Sequence, residues 1–237
     1  MSKINSNSTL FLIDGSTFIF RAYFAMYKAS QSRGSGFTRS DGTPTGAVMA
    51  FCNMMWKIIT NGIEGIQPSH IAVIFDTKEK TFRSDIYPSY KANRDAPPED
   101  LIPQFPLIHR AVEAFNIKCI SQIGYEADDL IATYSKIASE RDAETIIISG
   151  DKDLMQLINK NVRMYDPMPG KERFIDANGV QDKFGVTPDK VVDVQALAGD
   201  STDNIPGVPG IGIKIASELI NEYHSLENLL SNAENIK

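Results

Sequence analysis

The sequence predicts an α/β fold in which a mainly parallel sheet is flanked by helices. Short, wholly apolar runs recur along the chain, the pattern of strands covered on both faces. Segments with apolar residues at helical spacing separate them, the alternation that builds parallel sheets. The length of 237 residues, with 42% hydrophobic residues, suffices for one such domain and a small appended region, and excludes long disorder.

Taken in order, residues 10–13 (LFLI) read as the first buried strand. Residues 44–60 read as a helix, with Val48, Phe51, Cys52, Met55, Ile58 and Ile59 on one face. Residues 71–75 (IAVIF) and 145–148 (TIII) are further buried strands, 117–120 a weaker one, and 162–165 an edge strand. In residues 126–140, Leu130, Ile131, Tyr134, Ile137 and Ala138 recur at helical spacing. Residues 77–98 break the rhythm. They are polar, aromatic and basic, with Lys78, Lys80, Arg83, Lys91 and Arg94 against Glu79, Asp85 and Asp95. So long a loop within a domain is usually functional. Beyond about residue 180, short helices surround a Gly/Pro-rich turn, GVPGIG at 207–212. The division expected is an α/β core over 1–180 and a smaller helical region over 181–237.

The net charge of −6 excludes a generally basic nucleic-acid-coating protein but not a locally basic one. Two distant cysteines, Cys52 and Cys119, form neither a disulfide framework nor a CxxC zinc pattern, and suit a reducing cytoplasm. The N-terminus is polar, and no apolar run approaches the roughly 18 residues of a membrane span. The expectation is a soluble, monomeric, cytoplasmic protein.

The positions of the acids carry most information. Asp14 follows the first strand, Asp76 the second, and Asp151 and Asp153 follow TIIISG. Strand carboxyl ends in a parallel sheet share one edge, where ligands bind. Glu126, Asp128 and Asp129 open a helix, and the loop GDSTDN adds Asp200 and Asp203. Singly, each has an ordinary explanation. Asp14 suits a turn before Gly15, Asp151 a helix cap, and the acids at 126–129 a helix dipole. Together they would repel strongly without counter-ions. Hard cations such as Mg²⁺ take oxygen ligands of this kind, and two such ions about 3.5–4 Å apart suit phosphodiester cleavage. His70, His109 and His224 are scattered and show no zinc spacing. Setting the nine acids aside turns the formal balance from −6 to +3, compatible with a polyanionic partner.

The segment YKANRD sets Lys91 and Arg94 three residues apart, on one side if helical, where either would stabilise charge on an attacked phosphate. Tyr90, Phe82 and Tyr87 are candidates for base stacking. Arg21, seven residues after Asp14, is a candidate for the same rim. GVPGIG followed by IKIASELI reads as a helix–hairpin–helix: Gly207, Gly210 and Gly212 permit tight turns, helix N–H groups can meet a phosphate, and Lys214 adds charge.

With LIDGST and Arg21, VIFD, YPSYKANRD, GYEADDLIAT, ISGDKDLMQL and LAGDSTDNIPGVPGIGIKIA in order over residues 10–216, the chain resembles the 5′ nuclease family. It is most similar to the 5′→3′ exonuclease domains of bacterial DNA polymerase I, and more distantly to flap endonucleases. The resemblance implies a PIN-like (resolvase-like) core, a helical arch about residues 78–100 and a helix–hairpin–helix. It implies one metal set of Asp14, Asp76, Glu126 and Asp128. A second comprises Asp151, Asp153, Asp200 and Asp203, with Asp129 between. Lys91 and Arg94 then act on the scissile phosphate, and Arg21 and Arg83 contact DNA. Two Mg²⁺, replaceable by Mn²⁺, and a K⁺ at the hairpin are implied as cofactors, and flapped or nicked DNA, including RNA-primed strands, as substrate, in a bacterial, nucleoid-associated setting. The family's C-terminal helices are incomplete over 181–237, and no polymerase activity is expected.

Three other readings compete. A DNA-binding module inactive through truncation keeps the same residues without turnover. A PIN-type ribonuclease has no use for GVPGIG. A haloacid-dehalogenase-like phosphatase needs an Asp two residues after Asp14, where Ser16 stands.

Overall fold

Residues 10–14 are all buried in a strand, and the segments of the chain around them stack into a parallel sheet. The structure, a computed structural model, describes residues 3–33, 36–168 and 172–235. It has two compact units, Met1–Thr81 with Asp95–Gly150, and Phe82–Arg94 with Asp151–Lys237. Residues 82–94 and 151–180 thus group with the C-terminal helices.

The first unit contains strands β1 (Thr9–Asp14), β2 (His70–Ile74), β3 (Lys118–Ile120) and β4 (Glu144–Ile148), in the order β3-β2-β1-β4. Every pairing is parallel: Asp14 lies opposite Ile74 of β2, and Ile13 opposite Ile148 of β4. Helices α1 (Gly15–Arg33) and α2 (Gly46–Asn61) connect β1 to β2. Phe18 and Phe51, both fully buried, meet edge to face at 6.3 Å. Helix α2 has no side-chain cap of its own. The buried Gln104 supplies one from 57 residues away, its Oε1 accepting the N–H groups of Ala47 and Val48.

A short helix α3 (Phe82–Ile86) belongs to the second unit. Helix α4 (Phe105–Ala114) precedes β3, and α5 (Ala127–Ser139) precedes β4. Chain order runs outward from β1 to β2 and β3, then returns to β4 on the other side of β1. That reversal creates a crevice at the carboxyl ends of β1 and β4.

The second unit contains an antiparallel pair, β5 (Val162–Asp166) and β6 (Arg173–Ile175). The α-helices α6 (Ala177–Phe184), α7 (Val191–Ala198), α8 (Ile213–Tyr223) and α9 (Leu226–Ser231) follow. Val180, Phe184, Val194, Leu197, Ile220 and Leu229 are among its buried side chains.

Between residues 78 and 100, where the arch is expected, the helical segment is Phe82–Ile86, followed by turns, and Lys91 has φ +56°. Pro88 ends the helix two residues earlier, since proline disfavours the helical conformation before it. No helix among the described residues is long and apolar enough to cross a membrane.

Between α7 and α8 the hairpin closes by glycine contact. A Cβ on Gly207 would overlap the backbone of Ala198 and Gly199, while Val208 N–H reaches Leu197 O at 2.8 Å. Gly207→Ala should therefore destabilise the chain by about 1–3 kcal/mol, read from urea unfolding. An unchanged midpoint would show that the two backbones separate freely.

Candidate functional site

Asp14 ends β1 at the crevice and is buried, 5% exposed. Its carboxylate accepts the Thr17 N–H at 3.0 Å, the Thr17 hydroxyl at 2.5 Å and the Ser149 hydroxyl at 2.7 Å. Ser149 directly follows β4, so this last bond bridges the point where strand order reverses. Each donor to Asp14 is a hydroxyl or an amide. Burial pushes the Asp14 carboxyl above its usual range, the Thr17 and Ser149 bonds oppose this, and the charge of Asp76 adds to the rise.

Gly15 explains how α1 starts so close to β2. A Cβ there would strike the Phe75 ring and approach Ile74 O. Asp76, two residues beyond β2, accepts the Ser16 hydroxyl at 2.6 Å and the Ala127 N–H at 2.9 Å. It thereby ties the starts of α1 and α5 together. Glu126 is buried at the N-cap of α5, and Asp128 is half-buried in its first turn. Asp129 accepts the Glu126 N–H at 2.9 Å, one half of a capping box at the start of α5. Asp14, Asp76, Glu126, Asp128 and Asp129 all lie in the first unit.

The second unit holds the other acids. Asp151 caps a short 3₁₀ segment, Lys152–Leu157, by accepting the Asp153 N–H at 2.9 Å. Asp153 accepts Gln195 Nε2 at 2.6 Å; its carboxyl is pushed up by burial, with Gln195 opposing and the charges of Asp151 and Asp200 adding. Asp200 accepts Lys152 Nζ at 2.9 Å and the Thr202 N–H at 2.8 Å. Burial would raise the Asp200 carboxyl, but Lys152 and Thr202 together hold it below its usual range.

Lys91 and Arg94 converge without a helix. Both reach Asp203: Arg94 at 2.6 Å, Lys91 Nζ at 3.8 Å, joined by the Tyr90 hydroxyl at 3.0 Å. The Lys91 N–H bonds Asp203 O at 2.9 Å, and the Asn93 and Asn204 side-chain amides donate to Ser201 O and Ser89 O. Residues 88–94 are thus strapped to the loop 200–204. Tyr90 is half-buried; Phe82 and Tyr87 are exposed, with Arg83 over the Phe82 ring. Arg21 lies half-buried in α1. Gly210 has φ +83° in the hairpin turn, Gly212 is the N-cap of α8, and Lys214 is exposed in its first turn.

Among the described residues, no three His, Cys, Asp or Glu side chains approach closely enough to form a closed metal cage. The donors named above engage Asp14, Asp76, Asp129, Asp151, Asp153, Asp200 and Asp203. The donor chemistry nonetheless suits hard cations: carboxylate oxygens on short, well-fixed stems, one of them buried among hydroxyl and amide donors. Sequence reasoning missed those donors, Ser16, Thr17, Ser149, Lys152 and Gln195. A signal existed for Thr17, three residues after Asp14 at a helix start, and for Lys152, between two acids.

Two family models match the chain: the 5′-3′ exonuclease N-terminal resolvase-like domain over residues 9–185, and the 5′-3′ exonuclease C-terminal SAM fold over residues 186–237. A DNA polymerase I of Rhizobium leguminosarum is 50% identical over 100% of this chain, which spans 23% of that protein. A 5′-3′ exonuclease of Bacillus subtilis is 37% identical, covering 96% of this chain and 74% of the relative. In fold, the chain is similar to a bacteriophage T5 D15 flap endonuclease crystallised with DNA and metal ions. The TM-score is 0.74 at 22% identity, covering 94% of this chain and 78% of the other.

The raised Asp14 carboxyl fixes a sign. Folding favours its protonated form, so the ionised form costs stability above the folded-state pKa, and the cost vanishes as pH falls below the unfolded value. In chelator at pH 7, Asp14→Asn should raise the melting temperature by at least about 2 °C, with the gain shrinking toward pH 4. A variant that melts lower at pH 7 would contradict this.

Proposed function

Because the chain belongs to the 5′-3′ exonuclease family, we propose that it is a Mg²⁺-dependent, structure-specific 5′→3′ exonuclease and 5′-flap endonuclease acting on DNA. The observation that carries this reading is Asp14: a buried carboxylate at the strand-order reversal, fixed by two hydroxyls and an amide, with Asp76 acting on it as a like charge. A group so placed is costly for stability alone and well suited to a hard cation.

In this reading Asp14, Asp76, Glu126 and Asp128 hold one divalent ion, and Asp151, Asp153, Asp200 and Asp203 a second. Asp129 joins these acids, its carboxylate also accepting the N–H of Glu126, the N-cap of α5. Bound there, the cations supply Lewis-acid polarisation of a phosphoryl oxygen and a water ionisable near neutral pH. The chain's own part is positional. Thr17 and Ser149 orient the Asp14 oxygens, Ser16 and Ala127 N–H orient those of Asp76, and Gln195 fixes Asp153. Lys91 and Arg94 are the catalytic cations, released from Asp203 to neutralise the scissile phosphate. Arg21, Arg83 and Tyr90 contact the DNA near the cut. Gly207, Gly210, Gly212 and Lys214 grip a phosphate along the duplex, independent of sequence. A K⁺ at that hairpin is part of the proposal.

A labelled 5′-flap DNA should be cut only with Mg²⁺ or Mn²⁺ present; binding without metal-dependent cleavage would sink the enzyme reading. Lys91→Ala should lower the cleavage rate roughly 100-fold or more while flap affinity falls only a few-fold. Equal losses in both would make Lys91 a docking residue.

A further inference from the structure

The second acid set contains a residue that the proposed function leaves unused. Lys152 stands in sequence between Asp151 and Asp153, and its Nζ lies 2.9 Å from Asp200 Oδ2. The side chains are 31% and 7% exposed, so this is not a solvated surface pair of negligible worth. The other Asp200 oxygen accepts the Thr202 N–H, which commits both oxygens. The ammonium also feels the charges of Asp153 and Asp151. Burial lowers its pKa, and the three acids more than offset this.

We infer that Lys152 is a positioning residue, a tethered counter-cation that holds Asp200 and competes with a divalent ion for it. The inference rests on the reading of Asp151, Asp153 and Asp200 as metal ligands. Three carboxylates and no cation would make a tight divalent site. With an ammonium among them, an entering dication must displace Lys152 from Asp200 and then sit beside its positive charge. The affinity of this set is thereby lowered until an anion adds charge of its own. A phosphodiester is such an anion, so occupancy of this set is coupled to substrate. The same bond keeps Asp200 fixed and the three acids from repelling one another in the meantime. Lysine is well chosen for such a role, because its flexible stem lets the ammonium swing aside while remaining attached.

The test is a Mn²⁺ titration of the full chain without DNA, with free Mn²⁺ read by electron paramagnetic resonance. Lys152→Met and Lys152→Gln should each bind the weaker Mn²⁺ roughly tenfold more tightly than wild type. Lys152→Arg, which keeps the charge, should stay within about twofold of wild type. Adding Asp200→Asn to Lys152→Met should erase the gain. Glutamine retains a hydrogen bond to Asp200, so it reports even if the Met variant folds poorly. Unchanged or weaker Mn²⁺ binding in both neutral variants, with wild type binding normally, overturns the inference alone. Wild type that binds no Mn²⁺ overturns the metal reading with it.

Discussion

A carboxylate drawn out of water must have its charge met before a fold containing it is stable. Here it is met acid by acid. Hydroxyls and an amide hold Asp14, a serine and a helix N–H hold Asp76, and a lysine holds Asp200. Asp203 is met by an arginine, a lysine and a tyrosine together. These donors differ in one respect that matters for function. Hydroxyls and amides orient an oxygen but leave its charge, whereas ammonium and guanidinium groups cancel it. The first unit therefore keeps an unneutralised buried carboxylate at its crevice, and the second carries internal counter-cations.

The fold positions these groups for reasons that begin in the sequence. Parallel strands need long crossovers, and the crossovers are the helices α1, α2, α4 and α5. Because β1 sits between β2 and β4, its carboxyl end opens onto the reversal of strand order. Gly15 then allows α1 to turn immediately against Ile74 and Phe75. An acid at the end of β1 is thus brought to Ser149 on one side and within electrostatic range of Asp76 on the other.

Much of this is legible in the residues alone. The apolar runs at 10–13, 71–75 and 145–148 match β1, β2 and β4 within a residue or two, because fully buried strands show their burial directly in composition. Strand β6 leaves no such signal: Arg173–Ile175 is three residues long and only Ile175 is buried, so it has no period to read. The segment 77–98 stands out as irregular, but its form does not follow from its residues. Lys91 and Arg94 meet at Asp203 through a left-handed Lys91 and a strap of backbone and amide bonds, not through helical spacing. The acids are visible because strand ends and helix starts mark them. Their partners are not: Gln195 lies 42 residues from Asp153, and Ser149 lies 135 residues from Asp14. Pairings of that length are products of topology and leave no local trace.

Two sets of acids, one in each unit, binding divalent cations is the premise on which the proposed chemistry stands. Anomalous diffraction from a crystal soaked in Mn²⁺ tests it most directly. The account predicts one peak within bonding distance of Asp14 or Asp76 and another within bonding distance of Asp151, Asp153 or Asp200. Strong Mn²⁺ peaks confined to other surfaces, with both acid sets bare, would contradict it.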